Sequence, residues 1–227
     1  MGVITHLACI MDGNRRWAKA RGQLPWNGHR AGAQTVRIVI DFCLQYKIRY
    51  VSLYTFSLEN FQRTQEERSY LFDLIVQQVE IYAQEIAMKD VAIKFIGNLS
   101  LFPESVQKIC KKIEEQTAHK KTLQVNFLFG YGARQEIFAA AQSLAEKIIT
   151  GQTVNQDDFK HYLLTGNLPD PDLVIRTGGL QRLSNFLLYQ SAYAEIRFLD
   201  TLWPDLTKDE IYQAVMSAVN VQKNLGK

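Results

Sequence analysis

Several protein classes are excluded by what this sequence has little of. Cysteine occurs three times in 227 residues, at Cys9, Cys43 and Cys110. An odd count without a CxxC pair offers neither a disulfide framework nor a zinc site. Each cysteine lies in an apolar or helical run, where a free thiol acts as a small hydrophobe, and a reducing, cytoplasmic setting is expected. No Pro/Ser-rich linker, composition break or internal repeat divides the chain, so a single domain over residues 1–227 is expected. No run approaches the ~20 apolar residues of a membrane span. The N-terminus lacks the basic lead and apolar core of a secretory signal. Gly2 suggests myristoylation, but His6 stands where that signal needs Ser or Thr. Any membrane contact is expected to be peripheral. A net charge of +3 is too mild for a chain devoted to nucleic acid, so no nucleic-acid partner is expected. There is no Walker loop, HExxH, GxSxG or kinase motif. Gly130-Tyr131-Gly132 has Gln135 where a dinucleotide fingerprint needs its third glycine, and Asp157-Asp158 does not extend to DDxxD.

What is present is alternation. The chain is 47% hydrophobic, enough for a sizeable core. Apolar strand-like runs lie at 6–11, 50–56, 91–96, 123–129 and 173–175, with a sixth stretch, 186–198, read as part helix and part strand. Between and after them, helical patterns cover 28–46, 64–89, 103–119, 134–150, 155–164 and 208–223. Thr64-x-x-Glu67 is a capping-box pattern. Strand–helix alternation implies an α/β fold, a mostly parallel sheet of about six strands surrounded by helices.

The unusual residues fall after the predicted strand ends: Asp12, then Ser57-Leu58-Glu59-Asn60, Asn98, Tyr131 and Arg176. Open parallel sheets bind ligands at that rim. Arg16, Arg63, Arg176 and Arg182 lie in or just after these loops, and together suit a diphosphate clamp. Each charge-assisted hydrogen bond there is worth ~1.5–3 kcal/mol. His29 offers a further donor, or simply faces solvent at a helix start. Asp12, Glu59 and Glu195 could serve Mg²⁺, which takes one or two carboxylates plus substrate oxygens and water. Asp12 reads equally well as a helix N-cap, and Glu195 as half of a structural ion pair. Leu71, Leu74, Ile75, Val79, Tyr82 and Ile86 form an apolar stripe on the long helix 64–89. Ordinary core packing explains most of it. The same stripe could wall an elongated pocket, so the ligand would have a charged head and an apolar tail.

These residues also resemble a known family. Met11-Asp-Gly-Asn-Arg-Arg-Trp-Ala18 and Gly28-His-Arg-Ala-Gly32 are similar to the opening signature of the cis-prenyltransferases. Leu53-Tyr-Thr-Phe-Ser-Leu-Glu-Asn60, Asp172-Leu-Val-Ile-Arg-Thr-Gly-Gly179, Arg182-Leu-Ser-Asn-Phe186, Ala192-Tyr-Ala-Glu195 and Leu202-Trp-Pro204 complete the set in order. The resemblance implies a homodimer with a hydrophobic tunnel. It implies Mg²⁺-dependent, repeated addition of isopentenyl diphosphate to an allylic diphosphate, usually farnesyl diphosphate, with cis double bonds and, in bacteria, an undecaprenyl lipid carrier as product. By the same resemblance Asp12 is the essential aspartate acting on Mg²⁺ and the allylic diphosphate. Gly13, Asn14, Arg15, Arg16 and Trp17 form the loop receiving that substrate, with His29 a diphosphate contact. Ser57, Leu58, Glu59, Asn60, Phe61 and Arg63 form the block that orients substrates for condensation and proton loss. Arg176, Arg182 and Ser184 hold isopentenyl diphosphate, and Glu195 is a metal-linked acid, in one reading acting across the dimer. The proton acceptor stays open between Asn60, a phosphate oxygen and Asp12.

Four positions depart from the family pattern. Pro25 replaces a diphosphate-binding arginine, a role Arg30 could take. Leu180-Gln181 replaces an acid and, in some members, a metal-linked histidine. Phe61 replaces a tryptophan, and the tail 222–227 lacks an arginine-glycine ending. The alternative function is a non-catalytic partner subunit or lipid-binding module of the same fold. Retention of Asp12, Asn60, Arg176, Arg182 and Ser184 argues against it.

Overall fold

The computed structural model of the chain describes residues 4–155 and 158–221, without the side chains of 79–80 and 82–88. Gly2, Asp157, the 222–227 tail and the side chains of Val79, Tyr82 and Ile86 therefore lie outside the described residues. Six strands build one sheet: β1 (His6–Ile10), β2 (Tyr50–Ser57), β3 (Val91–Ile96), β4 (Leu123–Tyr131), β5 (Leu173–Arg176) and β6 (Glu195–Phe198). Their order is β3-β4-β2-β1-β5-β6, and every pairing is parallel. A parallel sheet needs both faces covered, and all five residues of β1 are buried.

The helices are α1 (Asn14–Ala20), α2 (Pro25–Gln45), α3 (Gln65–Met88), α4 (Glu104–Thr117), α5 (Ala133–Ile149), α6 (Asp158–His161) and α7 (Lys208–Val219). On α4, Val106, Ile109, Cys110 and Ile113 are buried at one-face spacing. Full burial of each aliphatic side chain contributes ~1.5–3 kcal/mol. The same helix covers the β3 edge, where the Ile93 and Phe95 N–H groups donate to Thr117 Oγ1 (3.0 Å) and Glu114 Oε1 (2.7 Å). In the other face, His6 Nε2 lies 2.8 Å from Ser52 Oγ and Nδ1 2.7 Å from the Pro169 carbonyl. Burial lowers its pKa to about 4.

Three local differences from the sequence-based pattern have physical causes. A helix, α1, follows Asp12 directly, and its N-cap is Gly13 at φ 113°, not the aspartate. Its exposed Arg15, Arg16 and Lys19 give it little apolar periodicity. Helix α2 begins at Pro25, three residues before the expected start, because proline's fixed φ suits the first helical position. Residues 186–194 form turns rather than a helix, and Leu187 has φ 41°.

Candidate active site

The rim is built by two adjacent parallel strands. After β1 the chain turns at once, the Asp12 N–H donating to the Ile10 carbonyl at 3.0 Å. Thr177, just beyond β5, locks the turn: its Oγ1 donates to the Asp12 carbonyl (2.7 Å) and accepts from the Asp12 N–H (3.1 Å). Asp12 and Arg176 are thereby set side by side. One guanidinium nitrogen of Arg176 donates to Asp12 Oδ2 at 2.8 Å; the other donates to Ser184 Oγ at 2.7 Å and to the Arg182 carbonyl. Arg16, one turn along α1, donates to Asp12 Oδ1 at 3.3 Å. Arg176 is only 4% exposed, and its Nε is buried without a partner. Its fork is therefore a fixed support rather than a mobile arm.

The close approach of α1 to α2 explains Gly28 and Gly32. A Cβ at Gly28 would lie 1.9 Å from the Asn14 carbonyl oxygen, and one at Gly32 2.3 Å from Asn14 Oδ1 and 2.7 Å from Trp203. Only glycine admits this contact. Between the two glycines, His29 turns into the site with Nε2 buried and unpartnered. Burial first, then the Arg63 and Arg15 charges, lower its pKa to about 3. Those arginines share Glu67, at 3.3 Å from Arg63 and 3.7 Å from Arg15. The expected cap at Thr64 is half present. Its Oγ1 accepts the Glu67 N–H at 3.3 Å, while the Glu67 carboxylate turns to the arginines.

The segment after β2 is a 3-10 turn, Leu58–Gln62. The Ser57 N–H donates to Asn60 Oδ1 at 3.0 Å. That bond commits the amide oxygen and leaves the NH₂ as the group Asn60 can offer a ligand. Glu59 Oε1 accepts from Asn185 Nδ2 at 2.9 Å.

These groups surround one cavity of about 880 Å³. Asp12, Asn14, His29, Ser57, Glu59, Asn60, Arg63, Arg176, Arg182 and Ser184 line its polar end. Below them it is walled by Val36 and Ile40 of α2, Leu71, Leu74 and Ile75 of α3, and Phe95 and Phe127 of the sheet. Gly13, Arg15, Arg16, Trp17, Leu58 and Phe61 stand behind the lining. Trp17 Nε1 donates to Asp205 Oδ1 at 2.6 Å, with Arg21 4.0 Å above its ring. Phe61 stacks edge-on with Phe56 and Phe102.

Several of the expected residues do not line the cavity. Glu195 begins β6 opposite Leu173, at the other end of the sheet from Arg176, and pairs with Arg197 at 2.9 Å. One chain does not bring it to Asp12. Its Glu-x-Arg spacing puts both side chains on one strand face, the signal of that ion pair. Tyr131 is buried and donates to Glu136; Asn98 caps a turn at Ser100. Arg30 is exposed and outside the cavity lining, and Pro25 starts α2. Sequence reading missed Thr177, Arg134 and Asn185. Asn185, at φ 65°, joins Glu59, Gln135 Oε1 (3.0 Å) and the Arg134 N–H (2.8 Å).

Among the described residues no group of three His, Cys, Asp or Glu side chains could cage a metal. The donor set instead fits a hard cation held by the single Asp12 carboxylate with ligand oxygens and water.

The chain matches the family model described as putative undecaprenyl diphosphate synthase over residues 10–226. A tritrans,polycis-undecaprenyl-diphosphate synthase (geranylgeranyl-diphosphate specific) of Methanopyrus kandleri is 38% identical, covering 98% of this chain and 84% of the relative. A ditrans,polycis-undecaprenyl-diphosphate synthase ((2E,6E)-farnesyl-diphosphate specific) of Micrococcus luteus is 36% identical, covering 97% and 90%. The solved structure of lavandulyl diphosphate synthase from Lavandula x intermedia, in complex with dimethylallyl diphosphate, superposes with a TM-score of 0.95 at 29% identity, covering 99% of each chain.

Proposed function

Because the chain belongs to the undecaprenyl diphosphate synthase family of cis-prenyltransferases, we propose that it adds isopentenyl diphosphate repeatedly to farnesyl diphosphate, making a long-chain, undecaprenyl-like diphosphate. One observation carries the reading: the Asp12–Arg176–Ser184 cluster and the unpartnered His29 Nε2 close one end of a cavity whose other walls are largely apolar.

His29, Arg63 and the amide of Asn60 bind the allylic diphosphate, and the cavity takes its prenyl tail. Arg182 and Ser184 bind the isopentenyl diphosphate head, on a loop fixed by Arg176. As the allylic C–O bond breaks, negative charge grows on the departing diphosphate, and the arginines stabilise it at no reorganisation cost. The isopentenyl double bond then closes on the allylic carbon and a proton leaves. Asn60 orients this step as a hydrogen-bond donor, since its oxygen already accepts the Ser57 N–H. The proton goes to a phosphate oxygen, because Asp12 is held by two arginines. Asp12, with substrate oxygens, would hold Mg²⁺, which supplies Lewis-acid neutralisation of diphosphate charge when bound.

The enzyme acts as a homodimer without spanning a membrane. The support is the terminal position of β6 in the sheet, the exposed Phe138 and Tyr193, and the absence among the described residues of any helix long and apolar enough to cross a bilayer. The test is incubation with labelled isopentenyl diphosphate, Mg²⁺ and either farnesyl or geranylgeranyl diphosphate. Elongation from farnesyl diphosphate supports the proposal. Preference for geranylgeranyl diphosphate corrects the primer, and no incorporation from either refutes an active synthase.

A further inference from the structure

Asn185 commits its whole side chain to other segments. Its Nδ2 donates to Glu59 Oε1 at 2.9 Å and to Gln135 Oε1 at 3.0 Å, and its Oδ1 accepts the Arg134 N–H at 2.8 Å. Both amide protons are therefore taken. Its backbone carbonyl accepts the Ala133 N–H at 2.9 Å. Gly132 makes room for the arrangement: a Cβ there would lie 2.7 Å from Asn185 Nδ2 and 3.2 Å from Leu58 Cδ1. The loop backbone needs this support. Ser184 and Asn185 have φ of 49° and 65°, and left-handed backbone at non-glycine residues persists only where its surroundings fix it.

Arg176 holds the loop from β5, through Ser184 Oγ and the Arg182 carbonyl. Asn185 holds it from the Leu58–Gln62 turn, through Glu59. Tyr54 of β2 adds its hydroxyl to the Ser184 and Asn185 carbonyls, but only at 3.4 and 3.5 Å, the weak limit of a hydrogen bond. Glu59 precedes Asn60, and Asn185 follows Ser184. One bond thus joins the neighbour of a residue that binds the allylic diphosphate to the neighbour of one that binds isopentenyl diphosphate. Condensation needs the two reacting carbons within about 3–3.5 Å, and a misplacement of about 1 Å costs about 10²-fold in rate.

We propose that Asn185 is a positioning residue for the condensation: through its bond to Glu59 it sets how far apart the two substrates are held. The inference rests on the synthase reading above. The test is the single-turnover rate of one condensation, with farnesyl diphosphate bound and labelled isopentenyl diphosphate at saturation, beside the affinity for farnesyl thiodiphosphate. N185G keeps the left-handed backbone and removes the amide. N185D still accepts the Arg134 N–H but sets a carboxylate against Glu59; Gln135 can turn its amide to suit, whereas Glu59 cannot. E59Q/N185D restores the bond with donor and acceptor exchanged. N185G and N185D should slow the single turnover by about 10²-fold and leave the thiodiphosphate affinity unchanged, and E59Q/N185D should be faster than N185D. An unchanged rate in N185G overturns the positioning role. So does a double variant no faster than N185D, since the two residues would then act separately. Thiodiphosphate affinity lost in step with the rate overturns it too, because the amide would then only support the primer site. No incorporation by the unaltered chain removes the synthase reading itself, and the positioning role with it. Melting curves show which variants fold. If N185D does not, E59A and E59A/N185G take its place, and losses that multiply rather than overlap overturn the role.

Discussion

At the scale of single residues, Arg176 concentrates the most consequences. It joins Asp12, Ser184 and the Arg182 carbonyl while almost fully buried. R176A should abolish most isopentenyl diphosphate turnover, by at least ~10²-fold. It should also cost about 1–3 kcal/mol of stability, less than a fully buried pair because Asp12 is partly open to water. R176K keeps the charge but not the fork, so it should recover stability better than activity. Denaturant unfolding beside steady-state rates separates the two. The histidines govern acid stability. His29 and His6 are neutral in the fold, with pKa values lowered by burial to about 3 and about 4 from an ordinary 6.5. Below pH 6.5 the unfolded chain binds protons that the fold excludes, so stability falls with pH and the loss levels off near those lowered values. Each histidine contributes up to about 1.4 kcal/mol per pH unit in that window. H29N should flatten the slope of unfolding free energy between pH 6.5 and 4, as read from urea titrations at several pH values. An unchanged slope would mean His29 is solvated.

At the scale of elements, the α1–α2 contact sets where Asn14 and His29 sit. G28A meets a backbone oxygen at 1.9 Å, whereas G32A meets side chains of Asn14 and Trp203. Backbone cannot step aside, so G28A should destabilise more than G32A, by about 1–3 kcal/mol for overpacking. Gly22 gives the control: its φ is 65° but nothing lies within 4 Å of a Cβ there. G22A should cost only backbone strain, about 1–2 kcal/mol, and leave activity intact. Thermal melts and incorporation rates check the series. The same contact explains what the sequence did and did not disclose at this scale. The strands were legible because parallel strands buried on both faces read as continuous apolar runs, as in Leu7–Ile10. Helix α1 was legible only as a helix start capped by Asp12, since it is short and exposed and its cap is the Gly13 backbone. The 186–194 stretch misled because apolar residues there pack from turns with left-handed backbone at Ser184, Asn185 and Leu187. Glu195 read equally as an acid for Mg²⁺ or as half of a structural ion pair, and it pairs with Arg197. Which end of β6 it occupies depended on strand register, which the sequence does not display. Asn185 carried no local signal, because its role is to tie three distant segments together.

At the scale of the whole molecule, one sheet brings a cationic rim, a carboxylate and an apolar cavity into line along its height. Of these, the rim was largely legible, since Asp12, Asn60, Arg63 and Arg176 all follow strand ends. The cavity was legible in part: Leu71, Leu74 and Ile75 of the α3 stripe line it, whereas Val36, Ile40, Phe95 and Phe127 look in sequence like ordinary core. If the molecule assembles as proposed, equilibrium sedimentation should give two chains per particle. Arginine substitution at Phe138 or Tyr193 should then shift it toward one chain. No shift from either variant would place the contact elsewhere. The most direct measurement on the central claim is a crystal structure with a non-hydrolysable farnesyl thiodiphosphate. The diphosphate should lie within hydrogen-bond distance of His29 and Arg63, with the tail running between Ile40 and Leu74 toward Asp41. A headgroup bound away from the Asp12–Arg176 rim, or a tail lying outside the cavity, would contradict it.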